Sequence, residues 1–558
     1  MMRPIRPYRH LMRYREIVHV LARHGFGELI DQLELLPYLS LPRRLLRGAK
    51  AREPLGAPAR VRMALEELGP TFIKFGQILS TRPDLLPPAY IQELSKLQDT
   101  VPPAPWEQVR ARVEEELGDS LEVLFAEFEP EPLAAASLSQ VHAARLPAGQ
   151  EVVVKVQRPS IQDTIETDLE ILFDLARLAQ ERTPLGQLYD LVEIAEDFAV
   201  TLRNELDYQR EGRNADRFRH NFAGEKHLYI PQVYWDYTTT RVLVLERIYG
   251  IKIDHVAAIE AAGLDRHQIA LNAARILIKE VLEDGFFHAD PHPGNFVVMP
   301  GEVIGAMDFG MVGYLNRRMK EDLVRLFIAS VEMDTDAVVD QLIRMGAVGE
   351  QLDRPRLRRD LERLITRYQG MPLRDIQANQ VMSEVMPVAF RHRLHLPSDL
   401  WLLGKTLSML EGVGRQLDPD FDVLTVAQPY VRQFVWEMSS PIALGRRLQE
   451  GITDWSQLLL DLPNRMPRLL DQLERGEATI GLDIRRADEI LGKLDRIANR
   501  LAISLLLAAF IVALALLIPS LDMTWPWGSL VWMVVIGFVV VSLLGLWLLI
   551  SIWRSGRQ

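Results

Sequence analysis

Residues 288–296 read HADPHPGNF, and a DFG triplet, Asp308–Gly310, follows them. An aspartate, an asparagine five positions on and a further aspartate supply one group to orient a nucleophile and two oxygen donors for magnesium. Phosphoryl transfer requires that set. In this reading Asp290 is the catalytic base that orients the nucleophile, while Asn295 and Asp308 hold the metal ions. The same stretch offers a second chemistry. His288, Asp290 and His292 alternate as metallohydrolase ligands would on one side of an extended segment. Pro291 and Pro293 make a regular strand a poor fit, however, and the alternation leaves the DFG triplet without a role.

Transferred phosphates also need a cation. Lys155 lies in EVVVKVQ, a strand pattern, upstream of the Asp–Asn–DFG set, where it would contact the α- and β-phosphates. Such a lysine wants a carboxylate from a helix, and NELDYQREGRNADRF offers Glu205, Asp207 and Glu211. At 100° per residue, Asp207 and Glu211 share a face while Glu205 points largely away, so Glu211 is assigned to Lys155.

The elements that must position these groups follow from the pattern. Residues 59–117 carry apolar residues at helical spacing, broken by RPDLLPP and VPPAPW. SQVHAARL, the turn PAGQ and EVVVKVQRP read as two strands around a hairpin, and RVLVLERI at 241–248 as another strand. Long helical patterns occupy 161–222. A helix over 265–285 leads into the HAD stretch, and FVVM, PGE and VIGAM form a hairpin that delivers DFG. Residues 314–475 are almost wholly helical. The order predicts an α+β chain in which a small strand-rich lobe precedes a helical lobe, with the polar chemistry at their junction.

The chain has 558 residues, no cysteine and a formal charge of −11. Thiolate and disulfide chemistry are excluded, and the charge argues against a nucleic-acid partner. Residues 1–62 nevertheless hold +8, leaving −19 for the remainder. A basic, partly amphipathic arm is a contact for anionic lipid headgroups or a solvated helical surface. At the other end Leu501–Ile518 and Leu530–Ile552 are uncharged, and each is long enough to cross hydrocarbon, which takes roughly 20 residues. PSLDMTWPWGS joins them without a basic residue, whereas Arg485, Arg486, Lys493, Arg496 and Arg500 precede and Arg554 and Arg557 follow. The positive-inside rule places both termini in the cytoplasm and the turn outside.

Four stretches together carry a specific resemblance: KFGQ at Lys74–Gln77, LAAASLSQVH at Leu133–His142, ELD at Glu205–Asp207, and HADPHPGN. In this order they resemble the UbiB family, the aarF-domain or ADCK proteins, which are atypical, kinase-like and linked to ubiquinone biosynthesis. The apolar C-terminal hairpin is similar to that of the bacterial members. The resemblance implies a protein-kinase-like two-lobe fold with an N-terminal helical extension and a C-terminal two-helix transmembrane hairpin. The basic arm and extension would span 1–120, the N-lobe with inserted helices 121–255 and the helical C-lobe 256–440. A helical linker (441–500) and the transmembrane hairpin (501–552) would complete the chain.

By the same resemblance the cofactors are ATP and Mg²⁺. The alanine-rich segment Leu133, Ala134, Ala135, Ala136, Ser137, Leu138 and Ser139 would line the nucleotide with Lys155 and Glu211. Lys74 and Gln77 belong to the extension that covers the site, with Glu205 and Asp207 as their counterparts. Membrane lipid, quinone precursors and other ubiquinone-synthesis proteins are the implied partners, at the bacterial inner membrane with the catalytic domain cytoplasmic.

Two features set the segment apart from an ordinary protein kinase. Alanines cannot adopt the positive φ that lets glycine amides approach phosphate cheaply. No A-P-E follows DFG, so the usual platform for a peptide is missing. Three activities are compatible with these features: an ATP-dependent membrane enzyme that hydrolyses ATP or phosphorylates a non-protein acceptor, a protein kinase with an unconventional substrate, and a nucleotide-binding scaffold. The complete residue set disfavours the scaffold, and the alanines and missing platform disfavour the protein kinase.

Overall fold

The computed structural model describes residues 6–35 and 56–438, apart from 83–84, 98–100, 188, 349–351, 372–374 and 395. The expected transmembrane hairpin and the whole of the linker before it lie outside the described residues. Among the described residues, no helix is long and apolar enough to cross a membrane.

The N-terminal lobe is built on an antiparallel sheet. Ser139–Arg145 pairs with Glu151–Gln157, which pairs with Val242–Glu246; the short strands Glu127–Phe128 and Ala134–Ala135 add to Ser139–Arg145. Strand residues alternate between faces. Val152, Val154 and Val156 are therefore buried on one face, with Val242 and Val244 beside them. Val109 and Val113 of the helix Trp106–Leu117 close that layer. Each fully buried valine contributes about 1.5–3 kcal/mol. A helix from ahead of residue 121 thus packs on the sheet of the lobe. Lys155 belongs to the opposite face, in register with Val141 and Leu243.

The inserted helices are Ile161–Arg182, Leu191–Glu205 and Tyr208–Asn221. The sequence reading treats 204–218 as one continuous helix, and the structure breaks it at Leu206. The reason is local: Asp207 has extended backbone (φ −96°, ψ 93°), and its side chain accepts the N–H of Arg210, capping the next helix. Tyr208, Glu211, Gly212, Asn214, Ala215 and Phe218 form the buried face of that helix, at the 3–4-residue spacing an amphipathic helix needs.

The N-terminal arm is a packed element over the part described. In Arg6–Arg23, Ile17 and Val20 cluster with Leu68, Phe72 and Ile171. Arg13 donates to both oxygens of the buried Asp168 (2.7 and 3.0 Å) and to the carbonyl of Leu68 (2.6 Å). Arg13 is therefore committed inside the protein, while Leu11 and Met12 are exposed.

In the second lobe the helix Arg266–Ile278 runs into a π-helical turn, Lys279–Asp284. Gly285 closes the turn at φ +61°, where a Cβ would lie 2.3 Å from the carbonyl oxygen of Leu315. Phe286–His288 then pairs antiparallel with Val312–Tyr314, and Phe296–Met299 with Val303–Ala306. These two ribbons fix the HAD stretch against the DFG triplet. Beyond Tyr314 the described chain is helical: Arg317–Val331, Thr335–Arg344, Arg354–Arg367, Ala378–His392, Ser398–Leu417 and Val423–Met438.

Candidate active site

Four segments remote in sequence meet at the junction of the lobes. Lys155 Nζ donates to both oxygens of Glu211 (2.7 and 2.9 Å) and to Asp308 Oδ2 (3.1 Å). The strand register turns Lys155 away from the valine layer, and the Asp207 cap starts the helix so that Glu211, in its first turn, lies beneath it. Gly310 N–H donates to Asp308 Oδ1 (2.9 Å), and Asn214 holds the DFG backbone through the Phe309 carbonyl (3.0 Å).

One ammonium thus faces two carboxylates. Burial works to lower the Lys155 ammonium, but Asp308 and Glu211 hold it well above the ordinary lysine value. Burial also works to raise Asp308, yet Lys155 and the Gly310 N–H hold that carboxyl well below its usual range. Glu211 goes the other way: burial pushes its carboxyl up despite Lys155. The ionised carboxylate of Asp308, its side chain 41% exposed, is the one available to a cation.

Asn295 is placed by its backbone, with Met307 N–H donating to its carbonyl (2.9 Å), and its side-chain amide donates to the Asp290 carbonyl (3.1 Å). That bond uses the amide nitrogen and leaves Oδ1 as the acceptor end of Asn295. Two hard oxygen donors suit magnesium, which takes its remaining ligands from phosphates and water. The donor chemistry therefore fits.

The histidines are otherwise engaged. His288 Nε2 meets the Asp308 carbonyl at 2.6 Å, its Nδ1 accepts the Asp290 N–H (3.3 Å), and His292 Nδ1 accepts the Gly294 N–H (3.0 Å). The His288 ring therefore ties the two motifs together through their backbone groups. Among the described residues no group of three or more His, Asp or Glu side chains could hold a metal, and the metallohydrolase reading has no structural basis there.

Three participants were not evident from sequence. Lys405, in Ser398–Leu417, places Nζ 3.4 Å from Asp290 Oδ1; a lone cation in the apolar run SDLWLLGKTLSML was its only signal. Glu280, in the π-helical turn, accepts the His288 N–H (3.1 Å) and anchors the start of the HAD stretch. The Tyr208 ring lies 5.4 Å from Lys155 Nζ as a cation–π partner.

The extension packs against the inserted helices. Lys74 Nζ pairs with Glu205 Oε2 at 3.1 Å, both side chains mostly buried. Gln77 donates to the Leu97 carbonyl (3.2 Å), whereas Asp207 caps its helix and pairs with Arg213 (3.3 Å). Phe75 stacks edge-on against Phe198 (4.9 Å), and with Ile78 it packs on the cluster that holds Leu138 of the alanine-rich segment. Gly76 permits this seating, since a Cβ there would meet Leu97 Cδ1 at 2.3 Å and Leu65 Cδ1 at 2.8 Å. In the alanine-rich segment, Ala134 and Ala135 lie opposite Val141 and Gln140, and Ala136 N–H closes a tight turn onto the Ser139 carbonyl (2.8 Å). Ser137, Leu138 and Ser139 are buried, and Leu133 is exposed.

Residues 96–342 match the ABC1 atypical kinase-like domain, 361–422 the UbiB helical domain, and 485–554 the ABC1/UbiB kinase-like C-terminal domain. A Pseudomonas paraeruginosa protein named probable protein kinase UbiB is 40% identical over 474 residues, covering 82% of this chain and 88% of its own. The chain belongs to the ABC1/UbiB family. A Cellvibrio japonicus protein of the same name is 37% identical over 524 residues, 91% and 93% of the two chains. A Synechocystis protein is 40% identical over 439 residues, 78% and 75%. The UbiB-family kinase-like domain thus takes in Lys155, Glu211, Asp290, Asn295 and Asp308, while Lys405 comes from the helical domain.

Proposed function

We propose that this chain is a membrane-attached, ATP-dependent enzyme that supports ubiquinone biosynthesis by hydrolysing ATP or phosphorylating a non-protein acceptor. The convergence of Lys155, Glu211 and Asp308 beside Asp290 and Asn295 carries the reading. Lys155, held protonated, addresses the nucleotide phosphates, and Glu211 fixes its direction. Asn295 and Asp308 would hold Mg²⁺, which when bound offsets phosphate charge. Asp290 orients water or an acceptor hydroxyl, and Lys405, beside it, faces the charge that develops as the phosphoryl group moves.

A non-protein acceptor is favoured by the short path after DFG. Met311 leads within a few residues to the paired strand Val312–Tyr314 and the Asn316-capped helix, so a peptide has no platform there. Membrane attachment rests on the two apolar spans of the sequence, with exposed Leu11 and Met12 on a basic helix as a second contact. Asp290→Asn tests the reading. Folding and Mg-ATP binding should persist while turnover falls about 10²–10⁴-fold, and cells relying on the variant should contain little ubiquinone. Normal ubiquinone with turnover abolished would refute it in favour of a scaffold.

A further inference from the structure

Behind the HAD and DFG stretches lies a partly open cavity, lined by the second lobe and by Phe218, Leu228 and Ile230 ahead of it. It is bounded by Leu277 of one helix, Pro291 and Phe309 of the two motifs, and Leu410 and Val413 of Ser398–Leu417. It offers about 60 Å³ to the centres of water-sized groups. One water needs about 10–15 Å³ by that measure and about 30 Å³ of liquid, so the space equals roughly four to six waters, the volume of a single six-membered ring.

Its wall is apolar but for a few groups. Thr406 is 1% exposed and its hydroxyl has no hydrogen-bond partner. A threonine inside a helix usually satisfies that hydroxyl on a carbonyl one turn back; this one is left available. Glu280 is 4% exposed, and its described hydrogen bond is the one it accepts from His288 N–H at Oε2. The cation beside it in sequence, Lys279, is spent on Asp284 and the Asn221 carbonyl. Burial accordingly pushes the Glu280 carboxyl up to about 8, so that near neutral pH it keeps its proton and can donate. An apolar chamber with an unpaired hydroxyl and a neutral acid suits a neutral guest, because a charged one would meet no counter-charge.

We propose that this cavity is a binding site for a small neutral molecule, an apolar body of one-ring size with a single hydroxyl or carbonyl held by Glu280 and Thr406. The site stands apart from the nucleotide reading and does not depend on it. It adjoins the catalytic stretch, since Pro291 follows Asp290 and Thr406 follows Lys405, but its occupancy can be measured without turnover.

Benzyl alcohol and toluene, which differ by the hydroxymethyl group, are suitable probes for calorimetry and thermal shift on the full chain. Benzyl alcohol should bind saturably at one site and raise the melting temperature, and toluene should bind about tenfold more weakly, the worth of one hydrogen bond. Thr406→Val, nearly isosteric, should bring benzyl alcohol down toward toluene without changing toluene. Ala273→Leu, at the cavity wall, should abolish binding of both. Non-saturable uptake by the wild-type chain, or binding undiminished in Ala273→Leu, would overturn the site. Equal affinity for the two probes in wild type and Thr406→Val would overturn the role of the polar groups. Should Ala273→Leu fail to fold, the Thr406→Val comparison decides alone.

Discussion

Removing Lys405 separates what an ion pair does for the fold from what it does for the reaction. Lys405 and Asp290 are 3.4 Å apart and about a third exposed, at 35% and 34%. A pair so placed is screened by solvent and contributes about 0–1 kcal/mol to stability. Lys405→Met keeps the apolar stem that lies along the helix, so denaturant unfolding should change by less than about 1 kcal/mol. The reaction is another matter. A preorganised cation facing developing charge, once lost, costs about 10²–10³-fold in kcat, or roughly 3–4 kcal/mol of barrier. Release of labelled γ-phosphate should therefore fall by that factor while Mg-ATP binding, followed by thermal shift, changes little. Lys405→Arg should recover part of the rate, because the charge returns at a different reach. If Lys405→Met retained kcat within about threefold, the assignment to the moving phosphoryl group would be wrong; a rate above wild type would make the pair with Asp290 a brake.

Other perturbations address the remaining contacts. Lys155→Met strands a buried carboxylate, so it should destabilise the N-lobe by about 3–5 kcal/mol and weaken nucleotide binding, while adding Glu211→Gln restores the melt but not the binding. In the extension, Lys74→Ala and Glu205→Ala should each lower the melting temperature, and the double variant should cost less than their sum, because the mostly buried pair couples them. The Glu280 carboxyl, raised from 4.5 to about 8 by burial with Asp284 adding and the His288 N–H and Lys279 opposing, binds its proton more tightly in the folded chain. Stability should therefore fall as pH rises from about 4.5 to 8, by on the order of 4 kcal/mol at most, and Glu280→Gln should flatten that slope in urea melts run across the range.

The sequence announced the site more fully than the scaffold that holds it. Lys155 is legible because period-2 alternation in EVVVKVQ separates it from Val152, Val154 and Val156, and Asp290, Asn295 and Asp308 because of their Asp–Asn–DFG spacing about the one hairpin at FVVM and VIGAM. Glu211 was paired with Lys155 through an uninterrupted helix, yet the pairing depends on the interruption, since the Asp207 cap sets the register of the helix that carries Glu211. An Asp at a potential cap looks the same in sequence as an Asp on a solvent face. Lys405 lies 115 residues from Asp290, and only packing of Ser398–Leu417 beside the HAD stretch unites them. Arg13 falls in an arm whose sequence reads as a lipid contact or a solvated surface, because burial of its partner Asp168 has no local sequence signature.

The extension touches both lobes: Phe75 and Lys74 meet Phe198 and Glu205, while the helix Pro88–Leu94 reaches the helix Ala378–His392. A two-lobed enzyme ordinarily breathes about its hinge to take in nucleotide and let it go. Here a single stretch of chain is fastened on either side of that hinge, like a strap across a bag, and the mouth cannot widen without lifting one of its ends. On the proposed activity, release of spent nucleotide is then expected to slow the cycle, and a variant that loosens either end of the strap should release it faster.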